Sequence, residues 1–135
     1  LLGYRTMKAR ENALRIRRHV VDEKNRKVED LERMIREFDT MAADLDRQIQ
    51  AEEDRTGIRD RSHFSYSTFA KSAAQRRDNL RTSNDAMREQ LAEAVRERDE
   101  ATEQYARFAA QNEAREDMRS GTRRRADRAP SAMLR

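Results

Sequence analysis

The sequence predicts an all-α protein, two long helices folded back on each other as an antiparallel coiled-coil hairpin. Three observations lead there. Of 135 residues, 41% are charged and 36% hydrophobic, with no Trp, one Pro and three Gly. That balance belongs to coiled coils and long helices; a domain with a thick core carries only about a quarter charged residues. Apolar residues recur every seven positions in two separate blocks. Charge alternates along the chain in blocks that complement one another when the chain folds near its middle.

The same composition narrows the possible functions. Without Cys there is neither a disulfide framework nor a thiolate metal site, which fits a reducing cytoplasm. No run of eighteen apolar residues spans a membrane. The opening Leu1-Leu2-Gly3-Tyr4-Arg5-Thr6 is too short and too soon charged for a signal peptide. Met7-Lys8-Ala9-Arg10 reads as a natural beginning, so residues 1–6 are expected to be a non-native or disordered extension.

The first arm is predicted over residues 7–55. Leu14, Val21, Val28, Ile35, Ala42 and Ile49 occupy one heptad position. Leu31, Phe38 and Leu45 fall three residues later at the second, and Val20, Met34 and Met41 widen the stripe. A 3.5-residue repeat sustained over more than four heptads is a coiled-coil signal. Arg17 and Lys24 take the second position near the start, leaving that end of the seam poorly sealed; such side chains carry their charged heads to water or meet something acidic.

Residues 56–65 are predicted as an apex turn. Gly57 would end the first arm as its C′ residue. Ser65 would cap the second arm, with Phe64 and Phe69 at N′ and N4 as a hydrophobic staple. Phe64, Tyr66 and Phe69 are also candidates for a docking patch. The second arm, 66–120, places Ala73, Leu80, Met87, Ala94, Ala101 and Phe108 at one heptad position. Arg77, Asn84, Leu91, Arg98, Tyr105 and Asn112 stand at the other; isolated polar residues at such sites fix register at a cost in stability. Arg119 and Gly121 read as a last-turn cation and a stop, leaving 121–135 as a disordered basic tail.

Charge supports the hairpin independently. Residues 1–27 carry a net +6, 28–60 carry −6, 61–88 carry +4, 89–117 carry −5 and 118–135 carry +5. Folding near residue 61 sets each acidic block beside a basic one, and flanking charges choose orientation and partner. A register pairing positions that sum to about 122 matches Leu31 with Leu91, Ile35 with Met87, Ala42 with Leu80, Val28 with Ala94 and Leu14 with Phe108. It also sets Lys24 against Arg98, a like-charge layer expected to be loose.

The sequence contains no glycine loop for phosphate and no strand pattern, and a two-helix hairpin offers few concave sites shielded from water. His19 and His63 lack companions at ligand spacing and read as solvated or packing residues. No catalytic residue, cofactor or metal is expected, and the chain does not read as an enzyme. Arg15, Arg17, Arg18, Lys24, Arg26 and Lys27 before a heptad run are similar to the basic region of a leucine-zipper DNA binder. That reading needs a parallel dimer and leaves the second arm without a role.

Several stretches resemble the flagellar export protein FliJ family, in its alphaproteobacterial form. They are Met7-Lys8-Ala9-Arg10 through Val20-Val21-Asp22-Glu23-Lys24, Met41-Ala42-Ala43-Asp44-Leu45-Asp46-Arg47 with Ile49-Gln50-Ala51-Glu52-Glu53, and Thr56-Gly57-Ile58 leading to Phe69-Ala70-Lys71. The resemblance covers residues 7–91. It implies a cytoplasmic, non-enzymatic component of the bacterial flagellar type III protein export apparatus. In that family the open end of the hairpin docks in the central pore of a hexameric export ATPase, much as the stalk of a rotary ATPase does. The resemblance also implies contact with the export gate protein and escort of substrate chaperones, so that association with the inner membrane runs through partners. By position and charge, Arg10, Arg15, Arg17 and Arg18 are the candidates for the ATPase contact. The alternatives are a basic coiled coil binding nucleic acid non-specifically, chiefly through Arg123 to Arg128, and a generic scaffolding coiled coil.

Overall fold

A computed structural model describes the chain over residues 2–133 and its side chains over 3–126. Two helices account for nearly all of it: α1, Leu2–Thr56, and α2, Thr68–Met133. There is no strand among the described residues. The helices pack against each other as an antiparallel hairpin, and the chain divides into two units. One is Asn25–Arg96; the other combines residues 1–24 with 97–135.

In Asn25–Arg96 the heptad seam closes as the periodicity predicts. Val28, Leu31 and Ala94 are buried together, with Leu91 and Val95 packed against them. Leu45, Ile49, Ala70, Ala73 and Ala74 form a second cluster that Tyr66 and Leu80 cover. Ile35, Ala42 and Met87 are buried as well. Large α1 residues meet alanines of α2, so the helices approach closely and the layers interdigitate. Phe38, Leu80 and Leu91 are only half-buried. The apolar face of α1 spans three heptad positions, and one opposing helix covers two of them. Met41 consequently stays 51% exposed.

The polar seam residues are organised as a ladder with the same seven-residue step. Asp46 accepts from Arg77 Nη1 at 2.7 Å and from Arg81 Nη2 at 2.8 Å. Seven residues earlier on α1 and seven later on α2, Asp39 accepts from Asn84 Nδ2 at 2.6 Å and pairs with Arg88 at 3.4 Å. Arg77 is only 13% exposed, and its hydrogen bond to Asp46 holds the guanidinium above its ordinary pKa. These rungs realise the charge-block pairing, the acidic half of α1 beside the basic half of α2.

In the unit of 1–24 with 97–135 the same register is met by different chemistry. Lys24 Nζ reaches Glu97 at 3.0 Å, while Arg98 turns to its neighbour Asp99 at 3.0 Å. Each cation of the expected Lys24–Arg98 layer therefore has a carboxylate of its own, which offsets the like-charge repulsion. Gly3 lies beside the Arg119 guanidinium, where an added Cβ would stand 3.3 Å from Nη2. Leu14, Val21 and Phe108 are half-buried rather than fully sealed.

Two helix boundaries differ from the sequence reading. Residues 2–6 belong to α1 instead of lying outside it; Leu1 is outside the described residues. α2 continues through Gly121 to Met133, where a stop at 120 and a disordered tail were expected; Leu134 and Arg135 are outside the described residues. Glycine in an exposed helix costs only about 1 kcal/mol relative to Ala, and the surrounding Arg and Ala residues are good helix formers. Pro130 also lies within α2, where it lacks the backbone N–H that an ordinary helical residue donates.

The apex itself spans residues 57–67. Gly57 ends α1 as its C′ residue with φ +72°, its N–H donating to Glu53 O at 2.8 Å, the αL cap. No heavy atom lies within 4 Å of where its Cβ would stand, so backbone conformation alone calls for glycine there. The cap of α2 is Ser67, not Ser65: its hydroxyl accepts from Ala70 N–H at 3.2 Å and donates to Glu52 Oε1 at 2.9 Å. One serine thus caps α2 and ties it to the last turns of α1. Arg55 first, and then the Ser67 hydroxyl, hold the Glu52 carboxyl below its ordinary range.

Candidate interaction surfaces

Among the described residues no group of three or more His, Asp or Glu could hold a metal ion, and no helix is long and apolar enough to cross a membrane. Each histidine is engaged locally. His19 Nε2 lies 3.1 Å from Glu23 one turn on, and His63 Nδ1 accepts from the Ser65 backbone N–H at 3.0 Å.

The four arginines proposed for the basic end are not equivalent. Arg15 and Arg18, both exposed, border a shallow groove of 270 Å³ with Glu11, Leu14 and Tyr105. Arg17 is already engaged: its guanidinium carbon lies 4.1 Å from the centroid of the Phe108 ring, a cation–π contact. Arg10 is half-buried. A second groove, of 290 Å³, is bordered by Met7, Glu116, Arg119, Ser120 and Arg123. Arg123, Arg124 and Arg125 are exposed on α2. As successive helical residues they diverge by about 100° each, so no single face presents all three.

The apex aromatics also separate. Tyr66 is half-buried against the Leu45–Ile49–Ala70 cluster, and its buried hydroxyl has no hydrogen-bond partner among the described residues. It is a packing residue rather than a docking one. Phe64 is 94% exposed and Phe69 56% exposed, so the expected staple between them does not form. The reason is the shift of the cap to Ser67: the N′ position passes to Tyr66, which takes the inward place meant for Phe64. Phe64 instead stacks on the His63 ring at 4.7 Å between centroids.

Two features escaped the sequence reading. One is the polar ladder, whose signal was the seven-residue spacing of Asp39 with Asp46 and of Arg81 with Arg88. The other is a groove of 510 Å³ floored by Phe38, Met41, Leu45 and Leu80 and flanked by Asp44 and Arg76, foreshadowed by the widened stripe. No family model, curated protein or solved structure matches this chain.

Proposed function

We propose that this chain is a non-enzymatic coiled-coil component of a flagellar-type protein export apparatus. It would act as a stalk or adaptor for a hexameric export ATPase and escort substrate chaperones toward the export gate protein. The observation that carries the reading is the basic, incompletely sealed seam of residues 1–24 with 97–135, together with the resemblance of residues 7–91 to the FliJ family. Arg15 and Arg18 offer exposed guanidinium groups beside the half-buried Leu14 and Tyr105, a combination suited to an acidic, partly apolar partner. Arg17 contributes differently, by holding Phe108. The chain's work would be to bind and position other proteins, without catalysis of its own.

The test is capture of the export ATPase from a cell extract by the full chain. Replacing Arg15 and Arg18 with Glu should abolish capture while helicity by circular dichroism stays unchanged; Arg17→Glu should additionally loosen local packing. Undiminished capture by the double variant, or normal motility and export in a deletion strain, would sink the proposal.

A further inference from the structure

The apex holds a phenylalanine out into water on a stiffened turn. His63 N–H donates to Asp60 O at 3.1 Å and Tyr66 N–H to His63 O at 3.0 Å, so two consecutive turns meet at His63. Asp60 Oδ1 accepts from both the Ser62 backbone N–H at 3.0 Å and the Ser62 hydroxyl at 2.7 Å. Ser65 N–H donates to His63 Nδ1 at 3.0 Å, and the Phe64 ring lies nearly flat on the imidazole, 21° between planes. Tyr66 roots the segment in the core below. The result is an ordered tip from which Phe64 projects, with Phe69 exposed on the first turn of α2.

The charge around this tip is one-sided. From residue 55 to 71 there are four cations, Arg55, Arg59, Arg61 and Lys71, and one carboxylate, Asp60. Arg55 is paired with Glu52 and Arg59 with Asp54, and Asp60 is occupied by Ser62. Arg61 and Lys71 are exposed and make no ion pair among the described residues. Exposed aromatic rings beside unpaired cations match the interface of an anionic bilayer, where rings enter the headgroup boundary and cations meet lipid phosphates.

We propose that the apex is a peripheral membrane contact: Phe64, with Phe69, inserts at the surface of an anionic lipid bilayer while Arg61 and Lys71 engage the headgroups. The contact is shallow, since only a turn and the first turn of a helix take part. A buried phenyl ring favours the bound state by about tenfold or more, and each cation near an anionic surface adds about fivefold. Together these give weak, reversible, salt-sensitive binding. The inference is independent of the export reading and stands or falls without it.

The chain contains no Trp, so Phe64→Trp makes a single reporter. The full-length variant is mixed with vesicles of phosphatidylcholine, alone or with one-third phosphatidylglycerol, at low and high salt. Its emission should shift to the blue on the anionic vesicles at low salt and stay near its aqueous value on the neutral ones. In sedimentation, Phe64→Ala should lower partitioning about tenfold and Arg61→Glu, a swing of two charges, roughly twentyfold. Failure to bind would overturn the proposal. So would binding with the reporter still in water, which would assign the contact to other basic residues. Binding to poly-glutamate as tight as to the anionic vesicles would overturn it in favour of an acidic protein surface.

Discussion

The two units of this hairpin are drawn from the same two helices, yet they bury very different things. Every buried residue among the described ones lies in Asn25–Arg96. The described residues of the other unit include none; there the seam consists of half-buried Leu14, Val21, Tyr105 and Phe108, an ion pair and a cation–π contact. Hydrophobic stabilisation scales with apolar area removed from water, so the first unit supplies most of the stability. The second keeps apolar and cationic groups at the surface. A long hairpin can in this way divide its labour, one stretch holding the helices together and another remaining available for contact.

The largest effect that could break this comparison is truncation of the seam in each unit. Ile49→Ala, in the closed cluster, should cost roughly 2–5 kcal/mol in chemical unfolding. Leu14→Ala should cost no more than about 1 kcal/mol, because little area is withdrawn from water there. Equal losses would show that the two units contribute alike.

A smaller effect of opposite sign would sharpen it. Asn84 is 4% exposed and its Oδ1 is buried without a partner, a cost carried inside the better-sealed unit. Asn84→Leu should raise stability by about 1 kcal/mol, since it removes an unsatisfied acceptor. Asp39 loses one donor but keeps Arg88 and solvent. A loss of stability instead would mean that the Asn84–Asp39 bond outweighs the orphaned oxygen.

The smallest effect is on pH. Glu52 is held below its ordinary pKa by Arg55 and Ser67, so its carboxylate favours the folded state. That contribution is present above the ordinary glutamate pKa and is lost as pH falls through the depressed folded value. Thermal unfolding followed across the acid range should show a drop that Glu52→Gln flattens. An unchanged profile in the variant would remove Glu52 from the linkage between helix end and cap.

Much of the fold was legible because it rests on period and charge. Val28, Ile35, Ala42 and Ile49, seven residues apart, had to share one side of a helix whatever they packed against. The charge blocks had to be answered by blocks of opposite sign, as Asp46 with Arg77 and Lys24 with Glu97 show. Gly57 was legible too, because a helix that must turn back favours a residue that accepts positive φ. The cap was not: Ser62, Ser65 and Ser67 are all competent N-caps by chemistry, and only closure onto Glu52 selects Ser67. Gly121 carried an ambiguous signal, since glycine permits a helix end without requiring one.

What the sequence by itself determined is therefore an antiparallel pair of helices, its approximate register and the glycine at its bend. These follow from periodicity and charge sign, which are properties of the chain alone. Tertiary structure decided which polar seam residues find partners, which arginine is taken up by Phe108, and that Tyr66 turns inward while Phe64 faces water. Those outcomes depend on distances of a few ångströms between residues far apart in the chain, and a one-residue offset reverses them.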